Sequence, residues 1–160
     1  VRARGFTLIE MVVVVAIVGV LAAAAVPVVE ISVRRVQEKS LREGLRVLRT
    51  ALDAYKSAVE AKRIAAGADG SVWPPQLALL VEGVPVLDEQ GRAAADGKRL
   101  YLLRRLPRDP FADAALAAAD TWAQRASTSP PDAPQPGNDV FDVASRSSLQ
   151  ALDGSNYRDW

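Results

Sequence analysis

The sequence predicts an α+β protein: one long N-terminal α-helix, with a transmembrane half and an amphipathic half, packed on a small antiparallel β-sheet head. Three observations lead there. From Met11 to Val29 nineteen residues run without a charge. From Leu41 to Val59 apolar residues recur at alternating spacings of four and three. After Ala66 the composition changes to glycine, proline and short apolar runs. A chain of 160 residues has room for one modest domain plus an extended element, not for two full domains.

The apolar stretch comes first in the chain. At about 1.5 Å rise per residue it makes roughly 28 Å of helix, enough to cross the hydrocarbon of a bilayer. Hydropathy alone leaves two readings open. Arg2 and Arg4 with the alanines at 22–25 also fit a secretory signal peptide. Glu10, at the entrance to the apolar run, weighs toward an anchor, because a carboxylate in hydrocarbon is costly and calls for a named partner; a position close enough to the interface to reach water is the plainer alternative. Pro27 has no amide hydrogen, so the carbonyl of Ala23 loses its helical partner and the helix is expected to kink or open there. Small residues such as Gly19 and Ala23 would let packed helices approach closely.

Beyond Pro27 the next strong breaker is Gly67, so one helix is expected from Phe6 to Ala66. Leu41, Leu45, Leu48, Leu52, Tyr55 and Val59 fall on one face of it. Gly44 interrupts this stretch at about 1 kcal/mol relative to alanine. A second stripe, Arg35, Lys39, Arg42, Arg46 and Arg49, admits several readings: phosphate, anionic headgroups, acidic residues of a neighbouring subunit, or a solvated face. No aromatic residues interleave with it, which argues against single-stranded nucleic acid.

In the head, Trp73-Pro74-Pro75 turns the chain, a short helix is expected over Gln76–Glu82, and residues 83–99 read as loop. Asn138–Ser145 reads as a strand with Phe141 and Val143 on one face. Residues 127–137 hold four prolines in eleven positions and read as an exposed, poorly ordered loop. A sheet of two or three strands buries little by itself, so the head is expected to lean on the Leu41–Val59 stripe. The resulting organisation is 1–5, 6–30, 31–66 and 67–160.

Composition narrows the chemistry. Twenty Lys and Arg against nineteen Asp and Glu leave a formal charge of +1, so no global field directs binding to nucleic acid. The chain has no cysteine and no histidine, which removes disulfides, thiolate sites and the commonest general base. No GxSxG, SxxK or P-loop pattern is present, and the chain reads as a non-enzyme.

The run VRARGFTLIEMVVVVAIVGVLAAAAVP resembles the N-terminus of type IV prepilins and of the pseudopilins of type II secretion systems. The resemblance implies a short basic leader, residues 1–5, removed by prepilin peptidase between Gly5 and Phe6, with N-methylation of Phe6. Glycine at the cut lets the backbone lie close to the peptidase. The resemblance also implies that Glu10 pairs with the Phe6 amino group of a neighbouring subunit during filament assembly, and that Pro27 marks a weak point in the helix. It implies a single pass through the bacterial inner membrane, with the N-terminus cytoplasmic and the head periplasmic. Counting basic residues on either side of the apolar run would alone predict the opposite orientation, but large domains are translocated largely regardless of charge.

Three further stretches, WPPQLALLVEG, LRRLPRDPF and DVASRSSLQALDGSNYRDW, look like the major, G-type pseudopilins. That likeness makes Asp153 and Asp159 candidate calcium ligands, with Ser155, Asn156 and carbonyls to complete six to eight oxygens. A plain turn at Asp153-Gly154 is the alternative, and the Leu149-Gln150-Ala151-Leu152 stretch departs from the usual acidic, glycine-rich loop. The function implied is a structural subunit of a periplasmic pseudopilus, and the alternative is a pilin of a surface pilus for adhesion, motility or DNA uptake. The implied partners are copies of the chain itself, minor pseudopilins, the peptidase, the inner-membrane assembly platform and inner membrane lipid, with no nucleic acid.

Overall fold

The computed structural model describes residues 6–67 and 69–160, without the side chains of residues 24–27. Helix α1 spans Leu8–Glu60. It contributes to two compact units, Val1–Val36 and Gln37–Trp160. In the second unit follow α2 (Leu79–Glu82), β1 (Val84–Pro85), β2 (Arg99–Leu100), β3 (Trp122–Arg125) and β4 (Asp142–Ser145), with single 3-10 turns at Ala118–Thr121 and Tyr157–Asp159. The strands form two antiparallel pairs, β1 with β2 and β3 with β4. This is the α+β, type IV pilin-like arrangement expected, with the sheet divided in two.

The predicted stripe is the floor of the core. Leu41, Leu45, Leu48, Leu52, Tyr55 and Val59 are all buried, joined by Ala51 and Ala58. Above them lie Leu77, Leu80, Trp122, Val140, Val143 and Tyr157 in one continuous cluster. Each buried leucine is worth about 1.5–3 kcal/mol, so the helix face supplies much of the stabilisation a head with such short strands cannot generate alone.

Helix α1 stops at Glu60, short of Ala66, in a turn made by the next three residues. Lys62 has a positive φ of 54°, its amide donates to the Val59 carbonyl at 2.8 Å, and the Arg63 amide donates to the Ala58 carbonyl at 2.9 Å. These two bonds make a Schellman motif with lysine in the left-handed position usually held by glycine. The turn releases Ile64 to bridge Val86 as an extended residue and to bury itself fully in the core. Core demand ended the helix before the glycine did.

Gly44 also has a structural reason. A Cβ on it would lie 3.1 Å from the Trp122 ring. Trp122 is fully buried, and its indole N–H donates to the Pro107 carbonyl at 2.9 Å, so it has little room to retreat.

The head is fixed more by polar pins than by strand ladders. In the segment Pro107–Phe111 the buried Asp109 carboxylate accepts from Ser145 Oγ and the Phe111 amide, and Arg108 donates to the carbonyls of Asp113, Ala114 and Leu116. Phe111 stacks on Tyr157 at 4.2 Å between ring centroids. Residues 127–137 are exposed and irregular, as expected, yet they are stitched: Ala126 N–H donates to Gln135 O, and Gln135 N–H to Ser129 Oγ. The predicted strand at 138–145 is shorter, beginning at Asp142, because Val140 N–H bonds the Pro74 carbonyl outside the ladder. The expected helix over Gln76–Glu82 contracts to its last turn, and the 83–99 loop holds β1 and the start of β2.

Two substitutions check this account in thermal or denaturant unfolding. Lys62→Gly should stabilise the head by about 0.5–1 kcal/mol by relieving the left-handed residue. Gly44→Ala should destabilise by about 1 kcal/mol net, crowding against Trp122 outweighing the gain in helix propensity.

Candidate functional site

The N-terminal part of α1 is a surface looking for cover. Every large apolar side chain described between Phe6 and Val36 is exposed, including Phe6 at 78% and Ile9 at 70%. Soluble monomers rarely expose a contiguous apolar patch beyond a few hundred Å². The helix is long and apolar enough to cross a membrane, and none of its most apolar stretch is buried. A helix that is apolar on all sides is at home in lipid or among other helices.

The entrance to this helix carries a reciprocal cap. Thr7 immediately precedes α1, and its backbone N–H and Oγ1–H donate to Glu10 Oε2 at 2.7 and 2.8 Å. The Glu10 amide returns a bond to Thr7 Oγ1 at 3.3 Å. This is a capping box, threonine at the N-cap and glutamate three residues later, and it satisfies two of the amides that a helix N-terminus leaves without partners. The negative charge also sits at the positive end of the helix dipole. Glu10 therefore has a local task besides any intermolecular one. The signal for this cap lies in Thr7-Leu8-Ile9-Glu10, a Ser/Thr-x-x-Glu spacing ahead of an apolar run.

The other expected site residues are distributed as follows. Gly5 lies outside the described residues, as does the side chain of Pro27. Phe6 stands exposed one residue ahead of the capping threonine. Asp153 and Asp159 have different partners. Asp153 Oδ1 accepts from the amide and hydroxyl of Ser155, and its Oδ2 faces Arg42 Nη2 at 3.5 Å. Asp159 Oδ2 accepts from Asn156 Nδ2 at 2.8 Å. Among the described residues no group of three or more Asp, Glu, His or Cys gathers. A calcium ion needs six to eight oxygens, and this donor set, with a guanidinium on one aspartate and an amide on the other, does not fit it.

The basic stripe is largely consumed within the chain. Arg42 faces Asp153, Arg46 pairs with Glu43 at 2.6 Å, and Arg49 pairs with Asp142 at 2.9 Å. The Glu43 carboxyl is held below the usual range first by its hydrogen bond to Arg46. Arg35, Lys39, Arg42 and Arg46 are nonetheless exposed, as a solvated face would be, and only Arg49 is half-buried.

A long N-terminal helix with an exposed apolar start, together with small antiparallel sheets, is consistent with a type IV pilin-like α+β fold. Residues 1–26 match the family model described as the prokaryotic N-terminal methylation motif. The chain is similar to the type II secretion system core protein G of Pectobacterium carotovorum subsp. carotovorum, with 34% identity over 110 residues, 69% of this chain and 63% of the relative. It thus spans less than two thirds of that relative's length. The motif and this likeness support recognition of the chain as a G-type pseudopilin. No solved structure matches it.

Loss of the cap has a defined signature. Thr7→Ala should cost about 1 kcal/mol at the helix start. In detergent micelles, amide exchange at Glu10, whose acceptor is the lost hydroxyl, should then speed by about fivefold, with the head unchanged; unaltered exchange there would remove the capping box from the account.

Proposed function

We propose that the chain is a structural, non-catalytic subunit of a type II secretion pseudopilus. Residues 1–5 form the leader, 6–30 the membrane anchor and later the filament core, 31–66 the amphipathic continuation, and 67–160 the periplasmic head. Prepilin peptidase cuts between Gly5 and Phe6 and methylates Phe6, with the N-terminus on the cytoplasmic side of the inner membrane. The partners are copies of the chain, minor pseudopilins and the inner-membrane assembly platform.

The observation that carries this reading is the exposed, largely apolar stretch of α1 over residues 8–36. Lipid covers it before assembly, and neighbouring helices cover it afterwards. Exchanging one apolar environment for another costs little, so packing of small residues and polar pairing decide the assembled state. The local bonds of Glu10 are compatible with that pairing. Both of its bonds fall on Oε2, so Oε1 is available to a cation from another subunit without dismantling the capping box. Cleavage before Phe6 creates such a cation, and the Thr7 amide that holds the carboxylate survives the cut. An ion pair in a low-dielectric setting is strongly attractive, and losing one partner leaves a buried charge uncompensated.

The test follows one residue through processing and assembly. Glu10→Ala should still insert in the membrane and still be cleaved, while failing to enter filaments. Deletion of the gene should abolish exoprotein secretion and leave surface motility intact. Normal assembly of the variant would sink the role of Glu10, and normal secretion with lost motility would reassign the chain to a surface pilus.

A further inference from the structure

Residues 149–160 have little secondary structure of their own: a bridge between Gln150 and Asn156, and the 3-10 turn at Tyr157–Asp159. Three side chains of α1 hold this segment. Glu38, buried on the helix, accepts at Oε1 from the Leu152 amide at 2.7 Å and the Tyr157 hydroxyl at 3.0 Å. Arg42 lies with its guanidinium carbon 3.9 Å from the Trp160 ring centroid and its Nη2 beside Asp153. Arg49 donates from Nη2 to the Trp160 carbonyl at 2.7 Å and to the Val143 carbonyl at 3.1 Å, and from Nε to Asp142 at 2.9 Å. At about 100° per residue, positions 38, 42 and 49 fall within about 40° of one another around the helix. One narrow stripe thus presents an acceptor and two planar donors to a single segment.

The chemistry of those contacts is informative. A hard cation that organises a loop does so by gathering carboxylates and main-chain carbonyls. Here Asp142, Asp153 and the carbonyls of Val143 and Trp160 are gathered by two guanidinium groups. Arginine suits the task, since its planar fork donates in several directions and stacks on aromatic faces. The carboxyl of Asp153 is held below its usual range, first by its bonds to Ser155 and also by the charge of Arg42. An ion placed against Asp153 Oδ2 would have to share it with that guanidinium.

We propose that Glu38, Arg42 and Arg49 form a helix-borne clamp that does the work of a bound cation, so that residues 149–160 dock on the head without calcium. This replaces the calcium role for Asp153 and Asp159 that the resemblance implies. It rests on the pseudopilin reading only for that comparison, since every contact is internal to the chain and would serve a surface pilin equally.

The test uses the full chain in detergent, with melting temperature and amide exchange read in millimolar calcium and again in excess EGTA. The clamp predicts the same melting temperature and the same protection over residues 149–160 in both. A fall in either on chelation would overturn it. Arg42→Gln, at an exposed position, should fold and should speed exchange across 149–160 by about tenfold through loss of charged contacts, while amides of Leu45–Leu52 keep their protection. Arg49→Gln should do the same more strongly. Unchanged exchange in Arg42→Gln would equally defeat the proposal, and neither result bears on whether the chain supports secretion.

Discussion

The buried stripe from Leu41 to Val59 is the constraint on which the head depends. Four two- to four-residue strands in separate pairs cannot enclose a core, and an isolated two-stranded ribbon is marginal in water. Setting them on a preformed helical face changes the balance, because a regular row of leucines is already aligned to receive Leu77, Leu80, Trp122, Val143 and Tyr157. Gly44 belongs to the same arrangement, its missing side chain leaving space for the Trp122 ring.

Polar side chains do the positioning that longer strands would do elsewhere. Three buried carboxylates, Glu38, Asp109 and Asp139, each collect donors from segments far apart in the chain. Asp139 ties Ser71 to Ser127 and so closes the base of the proline-rich loop. Burial pushes its carboxyl upward, and the bonds from Ser71 and Ser127 outweigh that and hold it below the usual range. A buried carboxylate without such donors would be destabilising; with them it becomes a specific joint between loops.

The N-terminal part of α1 obeys the opposite rule. Its described large apolar side chains are exposed, and the carboxylate at its start, Glu10, is satisfied locally by Thr7. Both donors from Thr7 fall on Glu10 Oε2, so the cap leaves the other carboxylate oxygen outside its hydrogen bonds.

Much of this was written in local patterns. Nineteen uncharged residues, a four-three leucine alternation and the prepilin-like run from Gly5 to Glu10 are short-range signals, and each depends on helical periodicity or on chain chemistry rather than on distant partners. So the sequence by itself determined the long helix, its two-part character and the face that carries the core. Tertiary structure alone decided where the helix ends, because Ile64 was needed opposite Val86. It likewise decided that β3 pairs with β4, and that Arg42 of the basic stripe faces Asp153. Those outcomes depend on residues some 20 to 110 positions apart meeting in space, and a pairing between distant side chains leaves no period in the sequence from which to read it.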